Sequence, residues 1–242
     1  MAYPERIVPD ATPAGILALH LKRYDFARAY CDGAEVLDAG CGVGYGTAYL
    51  AEVAASVVGV DVSADAVAYA TRRYAGPRTS FRQMDVTALD LPDASFDVVC
   101  SFETLEHVRD AAAAVREAAR VLRPGGVYVV STPHVGRTCA SPANPFHETE
   151  YAPDDFAALL RESFAGVELF GQRRLETRRH RALRRLDVLG LRRRSALLRR
   201  ASVVTGTAPT TDVTLDGIVI ERDALDGASE VVAVCRAEVA SA

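Results

Sequence analysis

The chain has 242 residues, 49% apolar and 25% charged, with a net charge of −4, which suits one α/β domain with a sizeable core and argues against a general nucleic-acid binder. No apolar run reaches the ~18–20 residues of a membrane span. Five cysteines without C-x-x-C spacing, and a charged, proline-bearing start unlike a secretory leader, predict reduced thiols in a cytoplasmic protein.

Residues 12–30 carry Ile16, Leu17, Leu21, Tyr24, Phe26 and Tyr30 at helical spacing. EVLDA (35–39) predicts a short buried strand, GTAYLAEVA (46–54) a helix and SVVGVD (56–61) a second strand. A helix over 63–74 follows, with Ser63 as its N-cap. Strands are expected at 79–85 and 95–103, then a helix at 110–122 closed by the turn RPGG, and a fifth strand at 127–133. PDDFAALLRESF (153–164) predicts a helix with acids in its first turn, and GVELFGQ (166–172) another strand. The stretch 173–200 holds 12 arginines, with leucines three or four apart. It predicts basic amphipathic helices, read first as a solvated cap and second as a face for an anionic substrate or a membrane surface. TDVTLDGIVI and SEVVAVCRAEV supply late strands without a clear helix between them, so antiparallel pairing is expected at the sheet edge. The fold expected is α/β: a doubly wound, mostly parallel sheet of seven strands. It forms one domain, with an N-terminal helix in 1–31, a core at 32–172, a basic insertion at 173–210 and terminal strands at 211–242.

The turn after the first strand carries Gly40, Gly42, Gly44 and Gly46. A bare turn between strand and helix lets a ligand approach the backbone. The dinucleotide spacing G-x-G-x-x-G fails, because its third glycine would fall on Tyr45 or Thr47. Asp38 beside the turn would repel a pyrophosphate and attract an ammonium or sulfonium; S-adenosylmethionine carries both cations. Asp61 ends the second strand, where a carboxylate accepts from both ribose hydroxyls, and Asp85 ends the third, where it could accept from an adenine amino group.

In these stretches, VLDAGCGVGYGT, VVGVDVSADAVAYA, MDVTALDLPDASFDVVCSFETLEHV and RVLRPGGVYVVSTP, the chain resembles the class I S-adenosylmethionine-dependent methyltransferases over roughly 35–133. NPFHETEYAPDDFAALLRESFAGVELFGQ and HLKRYDFA look like a bacterial subgroup of small-molecule and glycan O-methyltransferases, in which the N-terminal helix closes over the cofactor. The resemblance implies that Asp38, Gly40 and Gly42 face the methionine part, Asp61 and Val62 the ribose, and Met84, Asp85 and Val86 the adenine. Phe102 and Glu103 would line the cofactor's other side, with Arg23 and Tyr24 candidates for the methionine carboxylate.

Methyl transfer to a hydroxyl also needs the proton removed, by a base or through a metal. FETLEHV groups Glu103, Glu106 and His107 where open α/β sheets bind ligands. The same E-x-x-E-H occurs in ubiquinone-pathway O-methyltransferases, so the resemblance implies a Mg²⁺ site at Glu103, Glu106 and His107; the other reading is a helix cap. His134 and His147 fall on loops of the same rim, and His107 or His147 is the expected base. His20 and His180 lie in predicted helices, and His180 carries no role.

The expected activity is S-adenosylmethionine-dependent O-methylation of a sugar, a polysaccharide precursor or a related small molecule. N-methylation or phenol and quinone O-methylation are alternatives. An NAD-dependent oxidoreductase and a non-catalytic cofactor-binding scaffold are the rivals from other classes, and a homodimer is left open.

Overall fold

A computed structural model describes residues 6–175 and 213–239. The basic insertion expected at 173–210, with His180, lies outside the described residues apart from its first three.

Strands and helices alternate along the chain, and the strands join one eight-stranded sheet. β1 (Glu35–Ala39), β2 (Ser56–Asp61), β3 (Thr79–Gln83), β4 (Phe96–Phe102), β5 (Leu122–Pro133), β6 (Gly166–Arg174), β7 (Ile218–Arg222) and β8 (Glu230–Arg236) lie in the order β3-β2-β1-β4-β5-β8-β6-β7. The first five run parallel; β8 is antiparallel to both β5 and β6, and β7 is antiparallel to β6. The expected seven strands become eight because both late runs pair. VVAVC of β8 is buried throughout and takes an interior place, whereas IVIER of β7 ends in exposed Glu221 and Arg222 at the edge.

The neighbours of β1 reverse the chain's direction of travel: β2 and β3 go one way, β4 and β5 the other. Such a switch point opens a crevice beyond the carboxyl ends of the strands, where Asp38, Asp61 and Phe102 stand at or beside the ends of β1, β2 and β4.

Successive side chains of the central strands feed opposite layers. Leu37 and Val99 join a core with Leu105, Val115 and Phe156, on the side of α4 (Ala111–Val121) and α5 (Pro153–Arg161). Val36 and Val98 join a second core with Tyr24, Ala27 and Leu50, on the side of α1 (Ala14–Cys31) and α2 (Tyr45–Leu50). α1 buries Gly15, Ala18, Leu19, Arg23, Tyr24, Ala27 and Cys31, so this helix packs into the body of the domain.

Local chemistry sets the boundaries. The Ser63 hydroxyl accepts from the Ala66 amide at 3.3 Å to cap α3 (Ala64–Tyr74), and the Asp110 carboxylate caps α4 through Ala113 N at 2.8 Å; each such cap is worth ~1 kcal/mol. RPGG is not a turn ahead of β5 but a bulge within it. The register passes from Phe96–Leu122 to Val98–Val127, and Gly125 takes φ +78°. β3 stops at Gln83, leaving Asp85 in the following loop. Among the described residues no helix is long and apolar enough to cross a membrane.

Candidate functional site

The glycine turn divides its work. A Cβ on Gly40 (φ +85°) would lie 2.3 Å from Thr104 Oγ1, and one on Gly46 would lie 1.9 Å from the Tyr24 ring. These two glycines admit the chain after β4 and the α1 aromatic. Gly42 has nothing within 4 Å of where its Cβ would stand. It lines a cavity of about 1550 Å³, above the ~300–1,000 Å³ usual for one small ligand.

Asp61 and Asp85 line this cavity; Asp38 does not. Asp38 is fully buried behind the turn, accepting from Thr47 Oγ1 at 2.6 Å and from the Tyr24 hydroxyl at 3.3 Å. Burial pushes its carboxyl up to about 7, although both hydrogen bonds pull the other way. The Asp61 carboxylate accepts from Gly42 N at 2.9 Å through Oδ2 and from Ser63 N at 2.8 Å through Oδ1. Each oxygen keeps a second lone pair for a ligand hydroxyl. Asp85 Oδ1 accepts from Thr87 N at 2.9 Å and from its hydroxyl at 2.7 Å.

Val62 and Val86 are on the wall, whereas Met84 packs against the α4–α5 core. Val62 is 68% exposed, a bare apolar surface next to Asp61. Phe102 and Tyr24 both reach the cavity and meet edge to face, with centroids 4.8 Å apart. Arg23 is 1% exposed and lies behind the wall, donating to His20 Nδ1 at 2.9 Å.

The structure gathers Glu106, His107 and His147, with one potential ligand atom from each mutually within 4.8 Å. Glu103 lies outside this group. Its backbone is left-handed (φ +51°), and its carboxylate accepts from Ser131 Oγ at 2.7 Å. His134 is held apart by a 3.1 Å contact with the Ala228 carbonyl. His147 arrives because its loop is stitched to the Glu106 turn: the Glu148 amide donates to the Glu106 carbonyl at 2.7 Å.

Hydrogen bonds orient both imidazoles. Phe146 N donates to Asn144 Oδ1 at 3.1 Å, so the Asn144 amide presents its NH₂ to His147 Nε2 at 2.9 Å. That nitrogen is therefore the acceptor, and His147 Nδ1 donates to the Glu150 carboxylate at 2.8 Å. His107 Nδ1 donates to the Phe146 carbonyl at 2.9 Å. The two rings meet edge to face at 4.8 Å. One carboxylate and two imidazoles do not suit Mg²⁺, which takes oxygen ligands, and both His147 nitrogens already bond to protein. The residues present do not fit magnesium.

The sequence reading gave no role to Asn144, Ser131 or His20. Asn144 stands two residues before Phe146, the spacing of a local Asx turn, and was legible in principle. The i,i+3 pairing of His20 with Arg23 was also readable on a helix. Ser131 reaches Glu103 only through the pairing of β4 with β5.

Comparison with known proteins adds to this geometry. The methyltransferase domain family matches residues 37–130. A probable S-adenosylmethionine-dependent methyltransferase of Mycolicibacterium smegmatis is 45% identical over 186 residues, 69% of this chain and 71% of that protein. A phosphoethanolamine N-methyltransferase of Triticum aestivum is 35% identical over 146 residues, 58% of this chain and 26% of that protein. The crystal structure of a S-adenosylmethionine-dependent methyltransferase, possible histamine N-methyltransferase, from Thermotoga maritima superimposes with a TM-score of 0.61 at 14% identity. It covers 92% of this chain and 93% of that one; at that identity the likeness concerns the fold.

Proposed function

The chain belongs to the S-adenosylmethionine-dependent methyltransferases, and from that premise we propose that it methylates a hydroxyl of a sugar, an oligosaccharide or polysaccharide precursor, or a related small molecule. The wall residues fit the donor. Asp61 offers acceptors for a ribose diol, Val62 and Val86 an apolar bed for a flat base, Asp85 an acceptor beside it, and Gly42 open backbone. S-adenosylmethionine supplies, when bound, an electrophilic methyl carbon on a sulfonium, open to in-line displacement. The chain's own part is to hold the acceptor in line, where orientation can be worth an effective molarity of ~10⁵ M or more, and to take the acceptor's proton.

The observation that carries the hydroxyl reading is the pair of imidazoles gathered beside Glu106 at the rim. A hydroxyl loses its proton as its oxygen bonds to carbon, and His107 Nε2 receives it. The Nδ1–H of that ring stays on the Phe146 carbonyl and fixes its orientation. The buried Glu106 carboxylate stabilises the imidazolium that forms. His147, fixed by Glu150 and Asn144, packs against the ring and is the second candidate base.

A second reading is an amine acceptor, supported by the phosphoethanolamine N-methyltransferase relative. An amine must arrive neutral, and the same imidazole would deprotonate its ammonium form. Methyl transfer from labelled donor to panels of polyols, phenols and amines, compared between wild type and His107→Gln, separates the cases. For a hydroxyl acceptor, His107→Gln lowers kcat ~10²–10⁴-fold while S-adenosylhomocysteine affinity holds. Unchanged kcat on every hydroxyl substrate would remove His107 as the base.

A further inference from the structure

We infer that His20 is a hydrogen-bond donor, through its Nε2–H, for the α-carboxylate of the donor's amino-acid moiety, held in that tautomer by the buried Arg23 behind it. The inference deepens the cofactor reading above and rests on it.

A guanidinium has five N–H donors and no acceptor. The 2.9 Å contact between Arg23 Nη2 and His20 Nδ1 therefore has one polarity: Arg23 donates, and Nδ1 carries the lone pair. In a neutral imidazole the proton must then sit on Nε2. Protonating Nδ1 would set N–H against N–H beside a cation that has itself left water, since Arg23 is 1% exposed. Burial and the Arg23 charge together depress the ring to about 2, so it keeps its tautomer through the range in which an ordinary histidine titrates.

Arg23 is itself held from several elements. Glu230 of β8 lies 3.9 Å from Nη1, and the charges of Glu103 and Glu106 after β4 also raise its pKa, against the opposing pull of burial. Its Nε has no hydrogen-bond partner among the described residues, so this corner holds more donors than acceptors.

His20 lines the main cavity one helical turn before Tyr24, whose ring covers Gly46 and whose hydroxyl meets Asp38. That is the glycine-turn end. A donor whose ribose lies at Asp61 and whose base lies at Val62 and Val86 puts its amino-acid moiety here. A carboxylate at this place finds a fixed N–H with a buried cation one side chain behind it.

The test uses the full chain and two probes. S-adenosylhomocysteine carries the carboxylate, and 5′-methylthioadenosine lacks the whole amino-acid moiety. By calorimetry His20→Phe weakens S-adenosylhomocysteine roughly tenfold or more and leaves 5′-methylthioadenosine unchanged. Long-range ¹H–¹⁵N spectra of the wild type show the Nε2–H tautomer of His20, unaltered from pH 5.5 to 8. Equal loss of both ligands, no loss of either, an Nδ1–H tautomer or a titrating ring would each overturn the inference while leaving the methyltransferase reading standing. If the wild type bound neither ligand, the cofactor reading itself would fail first.

Discussion

Thr104 occupies the volume that a side chain on Gly40 would need: the two meet at 2.3 Å once a Cβ is placed on the glycine. The glycine turn after β1 and the loop after β4 are therefore a single packed unit, and one substitution reads both.

Gly40→Ala is expected to destabilise the protein by ~2 kcal/mol or more, combining overpacking with a left-handed backbone that alanine adopts at a cost of ~1–2 kcal/mol. Adding Thr104→Ala relieves the clash and recovers only the overpacking part. Urea unfolding of the single and double variants checks this; full recovery in the double variant would show that the backbone conformation costs nothing.

Asp61→Ala unhooks Gly42 N and Ser63 N and removes the expected diol acceptor. Hydrogen bonds to a charged group are worth ~1.5–3 kcal/mol, so S-adenosylhomocysteine affinity should fall ~10–100-fold by calorimetry. Wild-type affinity would take the ribose away from this carboxylate.

Asp38 makes stability depend on pH. Its folded value, about 7, lies above the 3.8 of an unperturbed carboxyl, so its contribution is present below about pH 4 and lost as pH rises through about 7. His20 acts with the opposite sign: its folded value of about 2 lies below the ordinary 6.5, so its cost grows as pH falls beneath 6.5. That contribution cancels between wild type and Asp38→Asn. The variant should gain on the wild type by a few kcal/mol between pH 4.5 and 8. Denaturation curves parallel at every pH would refute the buried-carboxylate account.

Methyl transfer should run unaltered in EDTA without added magnesium. The Glu106, His107 and His147 group offers one carboxylate, and His147 is already engaged at both nitrogens. Initial rates with chelator, and again with magnesium restored, decide it. A magnesium-dependent rate would bring back an oxygen-rich site that this cluster does not provide.

Much of the cavity wall was legible because its signals are local. The bare turn between β1 and α2, the carboxylate ending β2 and the Ser63 cap each declare themselves within a few residues. What escaped depends on partners far along the chain. Asp38 reads as a ligand until Tyr24 and Thr47 close over it. Glu103 reads as a member of E-x-x-E-H until its left-handed backbone and Ser131 draw it away from Glu106. His147 replaces it through a backbone bond between two loops, Glu148 to Glu106, that no periodicity reveals. The bulge in β5 was hidden because RPGG satisfies the rules for a turn equally well.

The interior seat of β8 sets an order of assembly. It is the last of the described strands, yet it lies between β5 and β6 and pairs along both. During synthesis those two strands must wait with bare edges until residues 230–236 emerge, while the half of the sheet from β1 to β5 can already close. A nascent chain would thus pass through a stage with half a sheet finished and two sticky borders open, the point at which a chaperone or a misplaced neighbouring strand would meet it.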